Sequence, residues 1–183
     1  MQTEFEARFL NVDAAKISEH LASRSATCTM PRTLMRRIVF TNGDIETRRG
    51  WLRLRQQGEK TFLTYKQATG DVSAIDTTLE AEVEVGDFEK TKTLLEAMGF
   101  TALRFQENFR EEWKLDGVTY DIDTWPDLPT FLEVEGPDEA AVRTAAETLG
   151  LNFEDASFGS VDEVYQAVLG RDILAEPQLV FSE

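Results

Sequence analysis

Apolar and ionised side chains alternate with a period of two in segment after segment of this chain, the spacing of a β-strand with one buried and one charged face. In residues 3–9, Glu4, Glu6 and Arg8 fall on one side and Phe5, Ala7 and Phe9 on the other. Residues 51–56 set Arg53 and Arg55 against Leu52 and Leu54. The Gln57-Gly58 turn then leads into 60–66, where Lys60, Phe62, Thr64 and Lys66 alternate with Thr61, Leu63 and Tyr65. In 79–85, Glu80, Glu82 and Glu84 oppose Ala81, Val83 and Val85. A long strand over 102–115 carries Arg104, Arg110 and Lys114 at one parity, and Asp116-Gly117 turns it into 118–124, where Asp121 and Asp123 alternate with Tyr120 and Ile122. Prolines break the pattern over 125–129, and 131–135 resumes it with Glu133 and Glu135 opposite Leu132 and Val134. Residues 33–41 read as a further strand ending at the Asn42-Gly43 turn signal, with 25–31 and 67–77 as loops.

Helical spacing fills the gaps. Asn11 to Asp13 offer a cap for a helix to about Ser23, with Ala14, Ile17 and Leu21 on its apolar side. Asp87 caps a helix whose stripe is Phe88, Thr91, Leu95 and Met98, ended by Gly99. Another runs from about Pro137 to Leu149 and stops at Gly150, and a last one opens with Ser160-x-x-Glu163 and ends near Leu169. Glu4-x-Glu6, Glu82-x-Glu84 and Glu133-x-Glu135 each end a strand that leads into a helix, a weak internal repeat. Eight one-faced strands with these helices predict an α+β fold, an antiparallel sheet whose apolar face the helices cover.

The 183 residues suit one domain, and a chain of this size buries roughly 70% of its unfolded surface. With 42% hydrophobic residues and twelve Phe it is the composition of a folded protein. No run approaches the about 18 apolar residues of a membrane span, and no basic, apolar leader opens the chain, so a cytoplasmic protein is expected. One cysteine, Cys28, excludes an internal disulfide and a Cys-rich zinc site, and the single His20 falls on a predicted surface helix. Chemistry here must therefore use carboxylates, guanidinium groups and amines. A net charge of −15 repels nucleic-acid backbone over the general surface but leaves room for a local basic cavity. Phosphate loops are missing: no Gly-x-Gly-x-x-Gly or Walker pattern occurs. Trp51, Trp113 and Trp125 read as packing residues.

Two arrangements fit the charged face. An open sheet would leave it in water; a closed sheet would turn it inward as a polar tunnel. The scarcity of Thr, Ser and Gln on that face, and the grouping of acidic and basic strands, favour the tunnel. Arg8, Arg53, Arg55, Lys66 and Arg110 would hold phosphoryl oxygens, and Glu4, Glu6, Glu133 and Glu135 would hold Mg²⁺ or Mn²⁺. With its carboxylates clustered and no partner cation, the metal-free site is expected to repel itself.

Glu4-Phe-Glu6-Ala-Arg8 resembles the Glu-x-Glu-x-Lys opening of the CYTH superfamily, the triphosphate tunnel metalloenzymes, which include thiamine triphosphatases, inorganic triphosphatases and class IV adenylate cyclases. The resemblance continues through Leu52-Arg-Leu-Arg55, Lys66, Glu82-x-Glu84, Arg110, Asp121-x-Asp123 and Phe131-Leu-Glu133-Val-Glu135, so it spans nearly the whole chain. It implies an eight-stranded antiparallel closed β-tunnel with a charged interior, a divalent cation and a triphosphate-bearing substrate. By similarity Glu4, Glu6, Glu133 and Glu135, with Asp121 and Asp123, are metal ligands. Arg8, Arg53, Arg55, Lys66, Arg104, Arg110 and Lys114, with Glu82 and Glu84, face the substrate, and Glu4, Glu6, Arg8, Arg53, Arg55, Lys66 and Arg110 carry the reaction.

The chain departs from the family pattern at Arg8 in place of lysine, at 35–40, which lacks an Asp-x-Tyr-Phe-Asp run, and at 128–131, which lacks a glycine. Its last helix has no lysine to close over the substrate. A metal-dependent triphosphatase is the expected activity, with a class IV adenylate cyclase and a non-catalytic nucleotide or polyphosphate sensor as alternatives. The expected partner is a small triphosphate, with no nucleic-acid polymer and no membrane; a homodimer is compatible with the sequence.

Overall fold

The computed structural model describes residues 2–69 and 78–182, with side chains from residue 5 onward. In chain order the elements are β1 (Gln2–Phe9), α1 (Ala14–Ser23), β2 (Thr27–Thr41), α2 (Gly43–Glu46), β3 (Gly50–Gln57), β4 (Lys60–Ala68), β5 (Thr78–Val85) and α3 (Phe88–Ala97). They continue with β6 (Thr101–Leu115), β7 (Val118–Thr124), β8 (Phe131–Gly136), α4 (Glu139–Thr148), α5 (Val161–Leu169) and the two-residue β9 (Gln178–Leu179). Part of the predicted 67–77 loop lies outside the described residues.

The eight main strands form a curled antiparallel sheet in the order β2-β3-β4-β5-β1-β8-β7-β6, and β6 pairs again with β2. The short β9 joins the far side of β6 in parallel, through Phe105↔Gln178. The three-fold strand-to-helix repeat recurs with one device. Asp13, Asp87 and Asp138 each follow one of β1, β5 and β8 and accept a backbone N–H from the first turn of α1, α3 or α4, satisfying donors that the helix itself cannot. Gly99 and Gly150 lie just beyond the ends of α3 and α4 with φ of 87° and 76°, a conformation in which a Cβ would be strained.

Helices cover the apolar outer face of the sheet. Ala7, Phe9, Tyr120, Ile122, Leu132 and Val134 pack with Ile17 and Leu21 of α1 and with Val142 and Ala146 of α4. A smaller cluster joins Ile38, Phe40 and Leu54 to Leu95 of α3. A third holds Trp125, Leu128 and Phe131 beneath Val164 and Tyr165 of α5 and Ile173.

Three expectations are corrected. Residues 27–31 of the expected 25–31 loop are strand, because Pro31 falls where the β2–β6 register shifts between Met30 and Thr33, a bulge that needs no N–H from proline. Asn42-Gly43, expected as a turn, opens the short helix α2, since the Asn42 side chain accepts from the N–H groups of Asp44 and Ile45 at 3.1 and 3.0 Å. Met98 is 61% exposed, because it lies just past the end of α3, whose one buried residue is Leu95.

Candidate functional site

The inner face of the curl encloses a cavity of about 710 Å³. Strand alternation supplies its wall: Glu6 and Arg8 point in from β1 while Phe5, Ala7 and Phe9 join the core behind it, and Asp121, Asp123, Glu133 and Glu135 do the same from β7 and β8. Among the described residues, eight basic and ten acidic side chains line the cavity. Strand order sorts them. The neighbours β5, β1, β8 and β7 bring Glu80, Glu82, Glu6, Glu133, Glu135, Asp121 and Asp123, and the neighbours β6, β2, β3 and β4 bring Arg104, Arg110, Lys114, Arg37, Arg53, Arg55 and Lys66; Arg8 on β1 and Glu112 on β6 are the exceptions.

Two arginines cross from one charge to the other. Antiparallel register sets Arg8 opposite Glu133 and Arg110 opposite Asp123. Arg8, only 3% exposed, donates from Nε to Glu133 Oε1 at 3.0 Å, from Nη2 to Glu6 Oε1 at 2.9 Å and from Nη1 to the carbonyl of Gly159 at 3.2 Å. Arg110 binds both Asp123 oxygens at 2.7 and 2.6 Å, Asp121 Oδ2 at 2.5 Å and Glu133 Oε2 at 2.5 Å. Burial works against the charge of both arginines, but the carboxylates outweigh it and hold both above their ordinary pKa, Arg110 well above. The acidic cluster therefore does have partner cations, contrary to the expectation from sequence: the two guanidinium groups offset much of its repulsion from within.

The acids respond differently. Burial opposes ionisation of Glu133, yet Arg8 and Arg110 bring it down to about 2. Asp121 goes up to about 8, pushed by burial and by Asp123 and Glu133 against the pull of Arg110. Its Oδ1 is buried with no hydrogen-bond partner. Among the described residues no three acidic, histidine or cysteine side chains already converge as a metal site, and the Arg110 guanidinium spans the space between Asp121, Asp123 and Glu133. The donor set is nonetheless all oxygen, with one buried oxygen still unpartnered, which fits a hard divalent cation.

The basic arc is less well satisfied. Arg53 and Arg55 reach Glu82 Oε2 at 3.6 and 3.4 Å, and Thr64 donates to the same oxygen at 2.6 Å. Lys66 pairs with Glu80 at 3.3 Å. Burial, then Arg53 and Arg110, bring Arg55 down to about 10. The Nε atoms of Arg37, Arg53, Arg55 and Arg104 are all buried without a partner.

Of the residues singled out from sequence, Glu6, Arg8, Arg53, Arg55, Lys66, Glu82, Arg104, Arg110, Lys114, Asp121, Asp123, Glu133 and Glu135 all line the cavity, Lys114 at an exposed position. Glu84 does not: it is exposed and paired with Lys60 at 3.2 Å. The side chain of Glu4 lies outside the described residues. Sequence reasoning missed Arg37 and placed no tryptophan in the wall, whereas Trp51 and Trp125 both line it. The alternation of Ile38 and Phe40, which pack outward, would have put Arg37 inside.

A family model described as CYTH domain matches residues 38–162. Among solved structures, a putative adenylate cyclase from Vibrio parahaemolyticus is similar with a TM-score of 0.75 at 13% identity, covering 90% of this chain and 98% of that one. The PH1819 protein of Pyrococcus horikoshii OT3 gives 0.63 at 25% identity over 90% and 98%. A putative adenylyl cyclase from Hippeastrum, described as revealing a dominant triphosphatase activity, gives 0.61 at 15% identity over 97% and 100%. A search of curated proteins gave no match.

Proposed function

The chain belongs to the CYTH family, and from that premise we propose that it is a divalent-metal-dependent hydrolase of a small triphosphate-bearing substrate. What supports this is the sorting of charge in the cavity: arginines with buried, unpartnered Nε–H donors along one arc, and an all-oxygen acidic cluster along the other. The β2–β6 pairing supports treating the curled sheet as a tunnel closed around this cavity.

Arg53, Arg55 and Lys66 bind and orient the polyphosphate chain, with forked hydrogen bonds from the arginines fixing phosphoryl oxygens for in-line attack. Because acidic side chains outnumber basic ones on the wall, an anion gains a favourable field only with countercharge beside it. Glu6, Asp121, Asp123, Glu133 and Glu135, together with Glu4, are the residues that would hold Mg²⁺ or Mn²⁺; such a cation neutralises phosphoryl oxygens and lowers the pKa of bound water. Arg8 and Arg110 hold those carboxylates in place, and charge developing on the transferred group meets preorganised donors. Hydrolysis needs a bound triphosphate and an in-line water. Cyclisation also needs a pocket that fixes a ribose so that its own hydroxyl attacks the α-phosphorus.

The test incubates the protein separately with tripolyphosphate, thiamine triphosphate and ATP, each with Mg²⁺ or Mn²⁺, and measures orthophosphate, pyrophosphate and cyclic AMP. Orthophosphate release that Arg53→Ala abolishes is the expected result. Cyclic AMP with stoichiometric pyrophosphate would assign the cyclase instead, and binding without turnover would assign a sensor.

A further inference from the structure

Among the described residues, no carboxylate pairs with the buried cation of Arg37. Its residue is 7% exposed, and among the described residues it makes no ion pair. Its contacts are one hydrogen bond to Asn108 Oδ1, the Trp125 ring 4.6 Å from its guanidinium carbon, and no acceptor at Nε. Register places it opposite Arg55 on β3 and opposite Gln106 on β6, so the surrounding charge is mostly of its own sign. Burial, then Arg53, Arg55 and Arg110, hold its guanidinium well below the ordinary value, with Asp123 pulling weakly the other way. A buried charge without compensation is costly, and proteins keep such groups where a ligand supplies the counterion. Arg36, next to it, shows the ordinary case: its side chain is 54% exposed and it pairs with Glu107 at 3.4 Å.

We propose that Arg37 is a direct ligand of the bound polyanion, placed where the basic arc meets Arg110 and Asp123 and held ready by Asn108 and Trp125. The proposal rests on the triphosphate reading of the same cavity and adds to it a residue on β2 that the sequence motifs leave out. Trp125 supports the flat face of the guanidinium and Asn108 occupies one of its N–H groups, leaving the Nε–H and the remaining N–H groups as the donors for phosphoryl oxygens.

A residue kept for ligand and one kept for structure respond in opposite ways to replacement. Arg37→Gln retains an amide that can donate to Asn108, and Arg37→Met retains a long stem against Trp125; both remove the charge. The expected result is a melting temperature, without ligand, equal to or above that of the wild type, with affinity for tripolyphosphate in the presence of Mg²⁺, by calorimetry, lower by about 10- to 100-fold. Arg37→Lys should retain part of the affinity, and Arg36→Gln should change neither quantity. Both neutral variants unfolding or melting several degrees lower, or binding tripolyphosphate as the wild type does, would overturn the proposal. Parallel titrations with pyrophosphate and sulfate separate the two readings. If the wild type takes these anions in an Arg37-dependent way but not tripolyphosphate, the inference stands and the triphosphate reading fails; if the wild type takes none, both fail.

Discussion

Replacing Arg110 by glutamine should strike the fold harder than any other single change in the cavity. The guanidinium makes four bonds to three carboxylates, Asp121, Asp123 and Glu133, all of them buried. Removing one member of a buried charge cluster costs about 3–5 kcal/mol, because the partners keep their desolvation and lose their compensation. For a chain of 150–250 residues each kcal/mol moves the midpoint by about 2–4 °C, so the expected loss is about 6–20 °C near pH 8. The pH dependence identifies the cause. Without Arg110 the carboxylates hold their protons more tightly than in the unfolded chain, so stability is lost as pH rises and regained as it falls. The deficit relative to wild type should therefore shrink from pH 8 to pH 5. Thermal unfolding followed by circular dichroism at several pH values measures both quantities. A variant within about 2 °C of wild type at pH 8, or a deficit that does not change with pH, would refute the view that Arg110 neutralises the cluster.

Further outcomes follow from the same geometry. Asp121 is raised to about 8, so its carboxyl favours the folded state below the unfolded value near 3.8 and that contribution is lost as pH rises to about 8; the stability of Asp121→Asn relative to wild type should rise steadily across that window and level off above it, by thermal melts without metal. Mg²⁺ or Mn²⁺ should raise the melting temperature by mass action, and Glu6→Gln combined with Glu135→Gln should remove most of that rise; a full response in the double variant would place the ligands elsewhere. Phe9 is 4% exposed in the core between sheet and helices, so Phe9→Ala should cost about 3–5 kcal/mol in urea unfolding, while Phe5, only partly buried, should cost less.

Which side chains share a face, and where most helices begin, can be read from the order of residues alone. Both are local: alternation needs only neighbouring residues, and an Asp cap such as Asp87 bonds an N–H three positions on, Lys90. Glu6, Arg8, Asp121, Asp123, Glu133 and Glu135 could thus be placed on one surface, and the ordered motifs named the family. Which of these residues meet depends on how the strands pair. Arg8 and Glu133 are 125 positions apart, and only the β1–β8 register makes them a pair. That register supplied a partner cation to an acidic site expected to have none, and the Arg110 pairing with β7 supplied a second. Arg37 was hidden for a related reason. In Arg36-Arg37 two adjacent charges straddle the pleat, and burial on the β2–β6 side sends one to water and the other into a cavity among its own kind. Its lack of an ion pair among the described residues is a property of four strands at once, β2, β3, β6 and β7, and no local pattern encodes it.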